Sequence, residues 1–296
     1  MTESIVDEHR SVWRYLMTCS FRQDFVDAGG LRTRYLQAGN PDNPPLLLLH
    51  GTGGHWEAFC ANIKPLSEHF NCFAPDLMGC GFTDKPDKPY EIADYIKHLL
   101  AFIDKLKIGR ASFIGVSLGS WIIARLAQQH PSLVDKAILV SPSGYKMLPA
   151  ESATIATDRR ASGLDPSWDN VKKVISALFF DKQKVMDDLV AVRQAVYSLP
   201  GMDKLMNRNL TLIVDRELRA KNNLTEAEWR SIKAPILVVA HVDTKDFWLE
   251  TAYDVIKLLP NGMLTEIKQT GHWSQFEQPD EFNRVALEFL TSAADA

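Results

Sequence analysis

Ser117 sits in Gly115-Val116-Ser117-Leu118-Gly119, a G-x-S-x-G pentad. An apolar run precedes it (Ala111 to Ile114) and an apolar, helix-compatible run follows (Trp121 to Ala127). A strand, a sharp turn and a helix in that order suit a nucleophilic serine. Flanking glycines let strand and helix close on each other, and the strained turn lifts the hydroxyl above the carboxyl edge of a sheet. The helix aims its first N–H groups at negative charge forming beside it. G-x-S-x-G also recurs by chance in glycine- and serine-containing loops, so the flanks and the partner residues carry the reading.

A serine hydroxyl needs a base, and the base needs an orienting carboxylate. His272, in Thr270-Gly271-His272-Trp273 after the last apolar run, is the candidate base. Two carboxylates, Asp243 and Asp246, follow the run Pro235 to Ala240. Asp243 is nearer the strand end, where the backbone is best defined, and is preferred; Asp246 stays open. His241, beside them, reads as a local hydrogen-bond partner rather than a second base. The order serine, acid, histidine suits a triad built on strand exits.

Leu46 to Leu49 runs into His50-Gly51-Thr52-Gly53-Gly54-His55. Small residues after a buried strand let main-chain N–H groups point into a cleft, as an oxyanion hole requires. The donors assigned are the Thr52 and Leu118 N–H groups, with His50 and His55 bracing the loop. The lack of G-K-[ST] argues against a phosphate loop. Asp76 precedes the serine and reads as a loop-bracing carboxylate. No histidine pair has metal-ligand spacing and no G-x-G-x-x-G follows the first strand, so neither metal nor nucleotide cofactor is expected. The four cysteines show no C-x-x-C spacing and read as thiols of a reducing cytoplasm. Cys80, between two glycines, reads as a small buried side chain.

These groups need a scaffold. At 296 residues and 46% hydrophobic, the chain is large enough for one α/β domain carrying an insertion. A formal charge of -4 gives no electrostatic case for nucleic acid or an anionic membrane. No apolar run approaches the roughly 20 residues that span a bilayer, and Met1 to Arg14 lacks the apolar stretch of a secretory signal. Ile5 to Met17 is weakly amphipathic. Phe21 to Ala38, with Gly29-Gly30, predicts a hairpin. Strands and helices then alternate, which predicts a mostly parallel, doubly wound sheet with ligands at its carboxyl edge. From Tyr145 to Ser231 strand signals vanish and helical segments follow one another (170–180, 182–198, 202–217, 225–232). The expected organisation is a core over 1–144, a helical cap over 145–231 and the rest of the core over 232–296. The cap would close the cleft and exclude water.

With these motifs in hand the chain resembles the α/β-hydrolase fold family over nearly its whole length after residue 20. The markers are His50-Gly51, Asp76 to Gly81, Gly115-x-Ser117-x-Gly119 and Gly271-His272. Within the family, Gly271 to Asn283 and the cap stretches Leu178 to Asp181 and Leu189 to Arg193 resemble the meta-cleavage product hydrolases. Those enzymes cut a carbon–carbon bond in 2-hydroxy-6-oxo-dienoates. The resemblance implies that Arg193 binds the dienoate carboxylate, joined by Trp273 and Gly53 as substrate-binding residues. It also implies a small-molecule substrate and a homodimer. Trp168, Leu178, Phe179, Met186 and Tyr197 are candidate walls of an apolar pocket. Val116 stands where those hydrolases commonly carry asparagine, and the stretch after His50-Gly51 is shorter than theirs. A carboxylesterase using the same triad is the alternative reading.

Overall fold

The computed structural model describes residues 10–149 and 153–292. The first nine residues of the chain, on which the start of the amphipathic N-terminal stretch (5–9) falls, lie outside that set. A short helix α1 (Val12–Leu16) follows them, capped by the Ser11 side chain, with Val12 and Leu16 buried. The hairpin is β1 (Phe21–Asp27) and β2 (Arg32–Ala38), antiparallel, with Phe21 opposite Ala38.

Continuous apolar runs form the inner strands. They are β3 (Pro45–Leu49), then, after α2 (Cys60–Ser67), β4 (Asn71–Pro75). Helix α3 (Ile92–Lys105) leads to β5 (Ala111–Val116), α4 (Leu118–Gln129) and β6 (Val134–Val140). Leu46 to Leu49 and Ile138 to Val140 have no exposed surface. Strands buried on both faces must be apolar throughout, which is why these runs do not alternate.

Between β6 and the next strand every regular described element is helical. In order these are α5 (Ala153–Leu164), α6 (Trp168–Ser176), a 3-10 turn (Lys182–Lys184), α7 (Asp187–Tyr197), α8 (Met202–Asn209), α9 (Thr211–Val214), α10 (Arg216–Asn222) and α11 (Glu226–Arg230). The helices are shorter and more numerous than the sequence reading has them, and α5 was not foreseen. Its large apolar positions are few, chiefly Ile155 and Leu164, so it shows no stripe to read. The stretch 202–217 breaks at Asp215, whose side chain caps α10 by accepting from Leu218 N–H.

The core resumes with β7 (Ile236–His241), α12 (Phe247–Val255), β8 (Gly262–Ile267), α13 (Ser274–Glu277) and α14 (Pro279–Thr291). The strand order is β1-β2-β4-β3-β5-β6-β7-β8. Only β1–β2 and β2–β4 pair antiparallel; the others are parallel. The carboxyl ends of β3, β5, β7 and β8 therefore deliver the His50 loop, Ser117, the acid loop and the His272 loop to one edge. No helix among the described residues is long and apolar enough to cross a membrane.

Candidate active site

The pentad folds as a strained elbow. Ser117 has φ 53° and ψ −107°, a region costly for any residue but glycine. The flanking glycines show why the chain tolerates it. A Cβ on Gly119 would lie 2.1 Å from Leu49 O, and one on Gly115 would lie 2.5 Å from Gly119 C. Any side chain at either position would push α4 off the sheet. The turn is pinned by Ser117 N–H donating to Val140 O (2.9 Å) and by Ser120, whose hydroxyl donates to Ser117 O and accepts from Ser143 N–H.

The loop after β3 closes onto this elbow. A Cβ on Gly51 would lie 3.3 Å from Ser117 Cβ and 3.9 Å from its Oγ. Thr52 and Leu118, the assigned oxyanion donors, line the same cavity as Ser117 and His272. The loop is held from behind. His50 Nδ1 donates to Gly51 O (2.7 Å) while its Nε2 accepts from Leu77 N–H (3.0 Å). Burial pushes His50 down to about 3, so it is a neutral brace. Asp76 accepts from Trp56 N–H, Phe82 N–H and the Arg34 guanidinium (2.6 Å from Nε), and Arg34 also donates to Glu57 (2.8 Å). Glu57 in turn holds His55 (2.8 Å). The carboxylate before the serine is thus a loop brace.

His272 is buried at the end of the loop after β8. Its main chain is fastened to the helical insertion, with N–H donating to Leu178 O (2.9 Å), and to β6 through the Ser141 hydroxyl (2.9 Å to His272 O). Glu277 completes the anchorage by accepting from Gly271, Phe180 and Asp181 N–H groups. In the sequence Glu277 is one residue of the stretch Gly271 to Asn283 with nothing to mark an anchoring role, which exists only where the loop and the insertion meet. The Trp248 ring lies 4.4 Å from the imidazole, edge-on.

The structure does not bring Asp243 to His272. Asp243 is exposed, and its Oδ2 accepts from Gln269 N–H. Asp246, three residues further on, lines the cavity. It caps α12 by accepting from Trp248 and Leu249 N–H groups and accepts from His241 Nε2 (2.9 Å). Asp243, although nearer the strand end, is turned away because β7 runs on to His241 and the loop then folds back so that Asp246 caps the next helix. His272 Nδ1 is buried with no hydrogen-bond partner. Asp246 reaches it through its field, pushing its pKa up against burial and the neighbouring His241 and Arg159.

Burial wins, and His272 is held near 3. A base acts in its neutral form, so this imidazole loses function only as pH falls toward that value. The expected kcat/KM profile on a neutral ester is level between about pH 5 and 8, with no break near the ordinary histidine value of about 6.5. A limb centred near 6.5 in a stopped-flow pH series would show that the free enzyme's His272 is hydrated and accessible.

Arg193 is buried on α7, with Nη1 donating to Tyr197 Oη (3.3 Å) and Nε without a partner. It converges on Gly53: a Cβ there would lie 3.5 Å from Tyr197 Oη, 3.6 Å from Arg159 Nη1 and 3.8 Å from Arg193 Nη1. Arg159, on the unforeseen α5, donates to Thr52 O (2.7 Å) and lines the cavity. Burial with no carboxylate beside it pulls Arg159 below its ordinary value. The sequence offered no signal for it.

The cavity is about 220 Å³. Trp273, Leu178 and Phe179 wall it, with Trp273 packed 5.7 Å from Phe179. Trp168, Met186 and Tyr197 instead pack with the hydrophobic core. Cys80 is buried, and all four cysteines are free.

Comparison with known proteins gives the arrangement its context. Residues 44–177 match the alpha/beta hydrolase fold family. Over 286 residues the chain is 29% identical to the 2-hydroxy-6-oxo-6-(2'-aminophenyl)hexa-2,4-dienoic acid hydrolase of Metapseudomonas resinovorans, covering 93% of both. It is 28% identical over 273 residues to the 2-hydroxy-6-oxo-2,4-heptadienoate hydrolase of Pseudomonas putida, covering 90% of this chain and 95% of that one. The crystal structure of a serine hydrolase involved in carbazole degradation superposes with a TM-score of 0.77 at 28% identity, over 92% of this chain and 99% of that one.

Proposed function

We propose, starting from a chain that has the α/β-hydrolase fold and is a hydrolase similar to the meta-cleavage product hydrolases, that it hydrolyses the C5–C6 bond of a 2-hydroxy-6-oxo-dienoate. The observation that carries this reading is the pair of buried guanidinium groups, Arg159 and Arg193, meeting at Gly53 of the oxyanion loop; Arg159 lines the cavity with Ser117, while Arg193 and Gly53 are not among its lining residues. Neither is ion-paired with a carboxylate among the described residues. Two buried cations beside an oxyanion loop suit an anionic substrate, whose carboxylate can accept from both.

In this scheme the arginines hold the C1 carboxylate, and the substrate loses the proton of its 2-hydroxyl as C5 takes one up, giving the 2-oxo tautomer. His272 accepts the Ser117 proton while Oγ adds to the C6 carbonyl carbon. The Thr52 and Leu118 N–H groups receive the oxyanion, and one such donor is worth about 3 kcal/mol of barrier. The C5–C6 bond then breaks, its electron pair leaving as a conjugated dienolate that takes the proton His272 received from Ser117, which returns the imidazole to its neutral form. Water hydrolyses the acyl group with His272 again as base, giving a 2-hydroxydienoate and a carboxylic acid. Asp246 supplies the acid of the triad through its field on the imidazolium.

The test is turnover of a coloured 2-hydroxy-6-oxo-dienoate beside an aryl ester of similar size. Bleaching of the dienoate with a higher kcat/KM than the ester is expected. Arg193→Gln should lower kcat/KM on the dienoate by roughly 10- to 100-fold, the worth of a charge-assisted hydrogen bond, and change neutral-ester cleavage much less. Rapid ester cleavage with an untouched dienoate would make the protein a carboxylesterase and end the C–C reading.

A further inference from the structure

A second buried arginine lines the same cavity as Arg159. Arg219, on α10, is 3% exposed and lines the cavity with Ser117 and His272. Its Nε donates to Lys146 O (3.2 Å) and Nη1 to Leu212 O (3.1 Å), while Nη2 is buried with no partner. The guanidinium lies 4.9 Å from the Trp121 ring and 6.0 Å from that of Phe247. No carboxylate faces it closely: desolvation alone acts on it and brings it down to about 10. Held by two carbonyls and stacked between aromatic faces, the group is fixed in place. A fixed, desolvated cation with a spare donor is costly unless something anionic occupies the cavity.

Its position separates it from the other pair. Arg159 is tied to the oxyanion loop at Thr52, and Arg193 approaches the same loop at Gly53. Arg219 stacks on Trp121, whose N–H donates to Ser117 O one turn into α4, and on Phe247 at the start of the acid-loop helix. Arg159 and Arg219 thus reach the cavity from different elements, one fastened to the oxyanion loop and the other stacked on α4 and α12, so its wall carries two separately held positive charges. Asp158 and Asp246 also line the cavity, but Asp158 pairs with Lys173 and Asp246 is engaged by His241.

We infer that Arg219 forms a subsite for a second anionic group, so that the substrate bears a carboxylate on the acyl side of the cleaved bond. This rests on the proposed reading for the identity of the bond, but not for the subsite itself. An ester and a C–C substrate place the same acyl group in the same place. The product leaving that side is a dicarboxylate, and the specificity of the enzyme is set by an acyl chain that ends in a charge.

The experiment uses para-nitrophenyl monoesters of glutaric and adipic acid against the pentanoate and hexanoate esters, with Ser117→Ala rates subtracted. The wild-type protein should favour the charged acyl chain in kcat/KM by roughly tenfold or more, the range of one charge-assisted hydrogen bond. Arg219→Gln should collapse that ratio to near one, and Arg219→Lys should restore part of it. A wild type that cleaves the neutral esters faster overturns the subsite without any variant. So does an Arg219→Gln protein that still turns over esters and keeps the wild-type ratio. Should both glutamine and lysine variants fail to fold, competitive inhibition of the wild type decides: glutarate must inhibit more strongly than pentanoate, and equal inhibition overturns the proposal. Dienoate bleaching is scored separately, so loss of the C–C reading and loss of the subsite are distinct results.

Discussion

Ser117→Ala is expected to lower kcat/KM on the preferred substrate by about a thousandfold or more, since removal of a nucleophile leaves only binding and oxyanion stabilisation. The fold should survive the change. What pins the elbow is the Ser117 main chain, through its N–H to Val140 O and its carbonyl to Ser120, and alanine keeps both. The positive φ is as costly for alanine as for serine, so thermal unfolding should move little. A purified variant that unfolds like the wild type and keeps a tenth of its turnover would remove Ser117 from the chemistry. A binding role on the same fold would show the same insensitivity.

Asp246→Asn carries the second large expectation: a loss of roughly 10²- to 10⁴-fold in kcat, against a change of about threefold or less for Asp243→Asn. The choice of asparagine isolates charge. It still caps α12 at Trp248 and Leu249 N–H and still bonds His241, so the loop keeps its shape. What disappears is the one carboxylate that raises the pKa of His272 against burial, His241 and Arg159. An imidazole held near 3 is a weak base, and the cation it becomes during turnover is left in a buried site with no counter-charge. Steady-state kinetics on the two variants decide. Equal losses, or a larger loss in Asp243→Asn, would mean that the loop rearranges during catalysis to bring Asp243 in.

The two acids show where reading a sequence stops. Both follow the same strand, and distance along the chain favoured the wrong side chain for the geometry seen here. Which of them faces the cavity depends on where β7 ends and on which residue caps α12, a competition settled by backbone hydrogen bonds that leave no pattern in the sequence. Ser117 differs. Its position is dictated by two glycines whose hydrogen atoms are the largest groups that fit between β5, α4 and Leu49, so the motif is itself the steric requirement. The hairpin, the buried strands and the helices α3, α4 and α14 were legible for a related reason: their apolar periods are strong and local.

The helical insertion was legible only in outline. Its segments are short and broken at caps such as Asp215, and α5 has too few large apolar residues to announce itself. That helix nevertheless supplies Arg159, and α10 supplies Arg219. In a sequence each of these arginines looks like any surface cation. Only in the packed structure are they seen to be buried, without carboxylate partners and turned to one cavity.

The sequence by itself determined the strand–elbow–helix around Ser117, the small-residue loop after β3, the histidine after β8 and the parallel sheet that collects them, because each is encoded in neighbours a few residues apart. The tertiary structure decided which acid lines the cavity beside that histidine, how Glu277 locks the His272 loop to the insertion, and which arginines line the cavity. Those outcomes depend on burial and on charges brought together from residues as far apart as Arg159 and His272, and desolvation is a property of the assembled fold rather than of any stretch of chain.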